Sequence, residues 1–234
     1  MPKPRLLDLF CCAGGAAMGY HRAGFEVVGV DIKPQPHYPF EFHQGDALTY
    51  PLDGFDAYHA SPPCQDYSVT KTLLQGNEYP RLIVPVTQRF KESNRPYVVE
   101  NVVGSEIPPQ RTLDGINGVL LCGTSFGMNI KRHRLFETSF PVPTLEHNHS
   151  LPIIDIYGDK PRLARMREIF PQSIGADLEV FWKNHIGVTW MKHRDEWREA
   201  IPPAYTEYIG KYLMAEVTKQ TSGKNDAQKT AGIE

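Results

Sequence analysis

A run of about 18 apolar residues, the length that crosses a bilayer, is absent from this sequence. The opening Met1-Pro2-Lys3-Pro4-Arg5 also lacks the apolar core of a signal peptide. The expectation is a cytoplasmic protein with no membrane partner. Cysteine is scarce: Cys11, Cys12, Cys64 and Cys122 are the four present, and no two are spaced as Cys-x-x-Cys. They read as neither a disulfide framework nor a zinc site, so no metal is expected. An excess of charge of one sign is missing too. A net charge of -2 and a pI near 6.5 give no global attraction for nucleic acid, which leaves that task to a local basic face. The pattern Gly-x-Gly-x-x-Gly does not occur, so no helix start is clearly arranged for a pyrophosphate. What is present is the composition of an ordinary globular protein, 41% hydrophobic and 22% charged over 234 residues, enough for one α/β domain with a modest appendage. No internal repeat is visible.

Arg5 to Phe10 reads as a buried strand, Cys11-Cys12-Ala13-Gly14-Gly15 as a loop, Ala16 to Ala23 as a helix stopped by Gly24, and Glu26 to Asp31 as a second strand. A strand, a glycine loop, a helix and a strand ending in a carboxylate make the βαβ unit that binds a nucleoside cofactor; plain turn chemistry is the other reading. Asp31 stands seventeen residues after Gly14, close to the roughly 20 expected for an acid that takes ribose hydroxyls. Without a pyrophosphate cradle, a nucleoside cofactor lacking phosphates fits better, and S-adenosyl-L-methionine is of that kind. Gly45-Asp46-Ala47, after a possible third strand, offers either an acid for an adenine amino group or a simple turn.

Further along, Ala60-Ser61-Pro62-Pro63-Cys64-Gln65-Asp66-Tyr67-Ser68 follows an apolar run. Two prolines fix φ and remove two donors, so the loop is stiff and its direction set. A thiol so placed is either a positioned nucleophile or a small buried residue beside a turn. Thr70 to Asn77 is a lid or an exposed connection. Tyr79 to Ser93 has a helical pattern with a kink expected at Pro85. Arg95 to Val102 is a β-branched run ending in Glu100 and Asn101. Asp31, Cys64 and Glu100 thus share one address, the carboxyl ends of strands, where open α/β sheets bind ligands. Val119 to Cys122 is another strand, and Arg132 and Arg134 alternate on an extended segment, two guanidiniums on one side or charges guarding a sheet edge. From Pro141 to about His185 the pattern weakens. His147-Asn148-His149 lacks the context of a nuclease motif, and the basic piece around Arg162, Arg165 and Arg167 reads as a backbone contact or a solvated helix face. A closing helix carries Tyr205, Ile209, Leu213 and Val217 on one side, and the polar residues after Thr218 read as disordered.

Together these pieces resemble the DNA cytosine-5 methyltransferase family, specifically its small, phage-like members. The resemblance is carried by Asp8-Leu9-Phe10 with Ala13-Gly14-Gly15, by Ser61-Pro62-Pro63-Cys64-Gln65, by Glu100-Asn101-Val102, by Arg132-His133-Arg134 and by Ala200-Ile201-Pro202-Pro203. In order and spacing it covers about Leu7 to Gly210. It implies a Rossmann-like S-adenosylmethionine-dependent methyltransferase fold with a mixed, mostly parallel sheet: a catalytic and cofactor-binding core over 1–138, a small target-recognition insertion over 139–186, a return to the core over 187–218, and a disordered tail over 219–234. It implies methyl transfer to C5 of a cytosine flipped out of double-stranded DNA, by a monomer, in a bacterial or phage setting with possible restriction-modification partners. Cys64, Glu100, Arg132 and Arg134 would be catalytic, with Cys64 adding to C6. Phe10, Cys12, Ala13, Gly14, Gly15, Asp31, Ile32, Asp46, Ala47, Pro62, Glu199 and Ala200 would line the cofactor pocket. Ser61, Pro63, Gln65, Ser68 and Asn101 would meet the substrate.

Three positions depart from the family pattern: Cys12 replaces a glycine, Ile130 a glutamine and Glu199 an asparagine. A sulfonium cofactor with a larger group is the variant reading that Cys12 raises. A tRNA cytosine methyltransferase shares the same motifs. A catalytically silent nucleic-acid-binding module and a nicotinamide oxidoreductase are the remaining alternatives, disfavoured by the intact Cys64, Glu100 and arginines and by the missing glycine fingerprint respectively.

Overall fold

The structure is a computed structural model and describes residues 2–63, 82–101, 117–150 and 178–231. Seven strands form one sheet: β1 (Arg5–Leu9), β2 (Glu26–Asp31), β3 (Glu41–Gln44), β4 (Ala57–Ala60), β5 (Tyr97–Asn101), β6 (Asn117–Leu121) and β7 (Arg134–Thr138). Their order across the sheet is β3-β2-β1-β4-β5-β7-β6. The first five run parallel, while β7 is antiparallel to both β5 and β6. Chain order runs outward from β1 in two directions, to β2 and β3 on one side and to β4 and β5 on the other. That reversal opens a crevice at the carboxyl ends of β1 and β4.

Five described helices flank the sheet: α1 (Gly15–Arg22), α2 (Ile83–Glu92), α3 (Leu178–Ile186), α4 (Arg194–Glu199) and α5 (Pro203–Ala231). The strands alternate between two apolar layers, as period-2 side chains must. Leu7, Leu9, Val28, Val30, Tyr58 and Val99 join one layer with Ile83, Val86 and Phe90 of α2. Leu6, Val27, Ala57, Val98 and Phe136 join the other with Tyr20 of α1 and Tyr205, Ile209, Leu213 and Val217 of α5. That α5 stripe, spaced by four, is buried to 4% exposure or less, and each such side chain contributes about 1.5–3 kcal/mol by leaving water. On this second face the alternation also brings Asp8, His59, Glu100 and Arg134 to one side of the sheet, a polar band inside an apolar layer.

Two expectations are corrected, and a third falls largely outside the described residues. Pro85 does not kink a helix running from Tyr79: α2 is described from Ile83, which puts Pro85 in its first turn, where a missing N–H breaks no bond. The tail expected to be disordered from 219 instead continues α5 to Ala231, because no proline interrupts it and a formed helix propagates at low cost per residue. The insertion expected over 139–186 is described only at its ends. There Phe140 and, in α3, Trp182 and Ile186 belong to the α1–α5 layer. The helical piece around Arg162 and the Thr70–Asn77 segment lie outside the described residues.

Candidate active site

The loop after β1 is bent by three left-handed residues, Phe10 (φ 58°), Cys12 (φ 44°) and Gly14 (φ 83°). Only the glycine adopts this region freely; each of the others costs about 1–2 kcal/mol. The shape is held from several sides. Cys11 N–H donates to the Val30 carbonyl at 3.2 Å, and Cys12 N–H donates to Asp31 Oδ2 at 3.1 Å. Trp190, from the return segment, donates its Nε1–H to the Ala13 carbonyl at 2.8 Å. Gly15 packs so closely on that segment that a Cβ there would lie 2.6 Å from the Ile201 carbonyl oxygen. Asp31 Oδ1 accepts Lys33 N–H at 2.9 Å, so both oxygens are oriented at the end of β2, and Ile32 beside it is 68% exposed. Solvent reaches the Cys12 thiol. Protein nevertheless crowds around it, and this crowding, with Asp31, Glu199 and Asp8 nearby, pushes its pKa up to about 12.

Gly45 N–H donates to the Asp31 carbonyl at 3.0 Å, tying the turn after β3 to the same rim. Asp46 caps that turn, its Oδ1 accepting Leu48 N–H at 2.9 Å. Buried Ala47 offers its carbonyl to Arg89 Nη1 at 2.5 Å. Ala200 is half-buried just after α4, whose last residue, Glu199, is exposed.

At the end of β4, Ser61 N–H donates to the Leu9 carbonyl at 3.2 Å. Below it runs a buried chain that the sequence reading missed. Tyr20 Oη pairs with His59 Nδ1 at 2.9 Å, and His59 Nε2 with Ser61 Oγ at 2.8 Å. A neutral imidazole is donor at one nitrogen and acceptor at the other, so this chain is directional. Asp8 Oδ1 lies 4.0 Å from His59 Nε2. Burial forces His59 down to about 3. Burial, helped by Asp31, raises Asp8 well above the usual carboxylate range, so burial disfavours the charged form of each. Polar residues inside Leu6-Leu7-Asp8-Leu9 and Ala57-Tyr58-His59-Ala60 were the available signal. Pro62 is buried and Pro63 exposed; Cys64, Gln65 and Ser68, immediately beyond, lie outside the described residues.

Glu100, near the end of β5, is 6% exposed, and Arg134 Nε lies 2.8 Å from its Oε1. Burial raises the Glu100 pKa, while Arg134 and then Arg132 oppose the rise without cancelling it. Desolvation thus favours the protonated form of this carboxyl more than water would. The two arginines do not act alike. Arg134 faces Glu100, whereas Arg132 is buried and donates Nη1–H to the Arg198 carbonyl at 2.6 Å. Tyr205 Oη–H donates to the Arg132 carbonyl at 2.6 Å. Arg132 thereby fastens the approach to β7 to the turn that carries Glu199. Asn101 is fully buried, and Ile130 is 1% exposed, a core residue packed over Gly123.

Asp31, Ser61-Pro62-Pro63 and Glu100 thus stand at or beside the carboxyl ends of β2, β4 and β5, which together with β1 are neighbours in the sheet. The arrangement is a rim with one oriented carboxylate, one buried carboxyl and the base of a proline loop.

No protein-family model matches the chain, and no curated protein sequence matches it. Solved structures do. The Entamoeba histolytica methyltransferase EhMeth superposes with a TM-score of 0.57 at 11% identity, over 93% of this chain and 99% of that one. The Schizosaccharomyces pombe Dnmt2 methyltransferase gives 0.54 at 11% identity, over 94% and 99%. A prophage-encoded Escherichia coli protein, titled as a candidate DNA modification methyltransferase, gives 0.44 at 19% identity over 58% of this chain. The chain spans about half of that protein, 46%. What the likenesses to EhMeth and the Schizosaccharomyces pombe protein show is the fold: a Rossmann-like methyltransferase fold with a seven-stranded, mostly parallel sheet. No helix among the described residues is long and apolar enough to cross a membrane.

Proposed function

We propose that this chain is an S-adenosylmethionine-dependent cytosine-5 methyltransferase acting on double-stranded DNA. The observation that carries the reading is Glu100, a buried carboxyl with a raised pKa at a strand's carboxyl end, paired with Arg134.

The rim fits the cofactor. Asp31 keeps further lone pairs for ribose hydroxyls after accepting two backbone N–H groups, and exposed Ile32 offers an apolar face to a nucleobase. The carboxylates of Asp31 and Glu199, which push up the Cys12 pKa, make a field that favours a cation. S-adenosylmethionine, when bound, supplies an electrophilic methyl on a sulfonium centre.

The residues of this chain do the rest. Cytosine C5 is a weak nucleophile until the ring's aromaticity is broken. Cys64 adds as thiolate to C6, forming a C–S bond and pushing charge toward N3. Glu100, its pKa raised by burial, hydrogen-bonds or protonates N3 and so steadies that charge. C5 is thereby activated; after substitution, loss of its proton lets Cys64 leave. Arg134 keeps Glu100 oriented, and the neutral His59–Ser61 contact braces the base of the loop carrying Cys64. The target base lies inside a duplex stack, so it must be flipped out to be reached.

Transfer of labelled methyl from S-adenosylmethionine to mixed-sequence duplex DNA, with tRNA as competitor and Cys64→Ser alongside, tests this. Label on cytosine C5 that depends on Cys64 supports the reading. Label on tRNA alone assigns the RNA substrate instead, and label on neither, with the cofactor bound, overturns it.

A further inference from the structure

Three ligand-type side chains that the proposed reaction does not use converge beside the site. Cys122, fully buried just past β6, comes from one segment, His133 from the approach to β7, and His149 from the stretch that follows β7. One ligand atom of each lies within 4.8 Å of those of the other two. Cys122 Sγ and His149 Nε2 are 3.4 Å apart. Around a tetrahedral zinc, bonds of ~2.3 Å to sulfur and ~2.0 Å to nitrogen put such atoms ~3.5 Å apart, so one edge is already set. The other two edges are at most 4.8 Å long. His147 stands over the group, its ring centroid 4.8 Å from that of His149 and 5.1 Å from that of His133.

Two further details point to a ligand. His133 Nε2 is buried and has no hydrogen-bond partner among the described residues, a costly state for a ring nitrogen unless something is bound there. Thr124 Oγ1–H donates to Cys122 Sγ at 3.4 Å, an outer contact of the kind that steadies a thiolate ligand. The other His-and-carboxylate group, His37, His193 and Glu196, is different. There both Glu196 oxygens are taken, one by His37 at 2.7 Å and the other by the Lys192 and His193 N–H groups, which is a helix cap with an ion pair.

We propose that Cys122, His133 and His149, completed by His147, form a structural zinc site. One thiolate with imidazoles suits zinc among common divalent ions. His133 lies between Arg132 and Arg134, so a metal there would pin residues 147–149 to the segment that presents both arginines. This proposal does not depend on the methyl-transfer reading.

The test is metal analysis of the tag-free full chain after dialysis. The expected result is about one zinc per chain, lost in Cys122→Ser and in His149→Ala. His147→Ala should keep the metal with affinity 10–100-fold weaker, water taking the open position. Cobalt(II) replacing zinc in the wild-type chain should give tetrahedral visible bands and a sulfur-to-cobalt charge-transfer band in the near ultraviolet. Because that measurement needs no variant, it stands even if Cys122→Ser fails to fold. Cys12→Ser should leave the charge-transfer band in place. Metal-free protein that binds neither zinc nor cobalt would overturn the proposal. So would a charge-transfer band that disappears with Cys12→Ser but survives Cys122→Ser.

Discussion

Arg134 Nε rests 2.8 Å from Glu100 Oε1, joining β7 to β5 at the carboxyl edge of the parallel sheet. Both side chains are largely covered, yet burial still outweighs the arginine and leaves the Glu100 pKa raised. Burial and the arginine thus act on this carboxyl in opposite directions.

Glu100→Gln should retain the fold and lower turnover by about 100- to 10,000-fold, the usual worth of a positioned proton donor. Arg134→Ala removes the cation that opposes the shift, so the Glu100 pKa should climb further. The pH limb that depends on neutral Glu100 should then move to higher pH. Rate against pH for wild type, Arg134→Ala and Arg134→Lys checks this, with lysine restoring part of the wild-type limb. An unmoved limb in Arg134→Ala would dismiss the coupling.

Asp31→Ala should weaken S-adenosylmethionine binding at least tenfold. It deletes the proposed ribose acceptor and also strands the Cys12 and Lys33 N–H groups, at roughly 1–3 kcal/mol for each that stays buried. Calorimetric titration reads the affinity and a thermal melt reads the loop. Unchanged affinity would remove Asp31 from the cofactor site.

Trp190→Phe deletes the donor to the Ala13 carbonyl, together with part of a ring that packs against the core. A loss of about 1 kcal/mol in stability is expected for that bond, with weaker cofactor binding because the glycine loop loses its brace from the return segment. Denaturant unfolding and cofactor titration measure the two effects separately.

Burial holds the folded His59 pKa at about 3, down from the 6.5 of a free imidazole side chain. The depressed value means that the unfolded chain binds the proton first. Stability from this residue is complete above pH 6.5 and drains as pH falls toward 3, with a limiting slope of about 1.4 kcal/mol per pH unit. Asp8 has the opposite sign: its raised pKa favours the fold below the usual carboxylate range and costs stability as pH rises toward the folded value. In His59→Gln the acid-side slope between pH 6 and 4 should shrink by about one proton. Chemical denaturation at several pH values reads it, and an unchanged slope would show that His59 is not the group responsible.

Much of the scaffold was legible because local rules govern it. Apolar runs marked β1, β2, β5 and the buried stripe of α5, and the Gly14-Gly15 turn with Asp31 marked the βαβ start. Pro62 and Pro63 made the loop before Cys64 conspicuous. The Tyr20–His59–Ser61 chain was not legible, since its members come from α1, β4 and the loop beyond and meet only when β1 and β4 pair. The divergence of Arg132 from Arg134 was hidden for the same reason: two positions on one extended segment share a side, but partners elsewhere decide what each does. Nor could four unpaired cysteines announce Cys122 beside His133 and His149, because their spacing belongs to no local motif.

By itself, then, the order of residues determined the strand periods, the glycine and proline turns and the placing of acids at strand ends, all set within a few residues by backbone sterics and burial. Only the tertiary structure decided which strands became neighbours, which carboxyl groups were buried and which histidines converged. Those outcomes depend on desolvation and on contacts between residues as far apart as Ala13 and Trp190, and no short stretch of sequence encodes them.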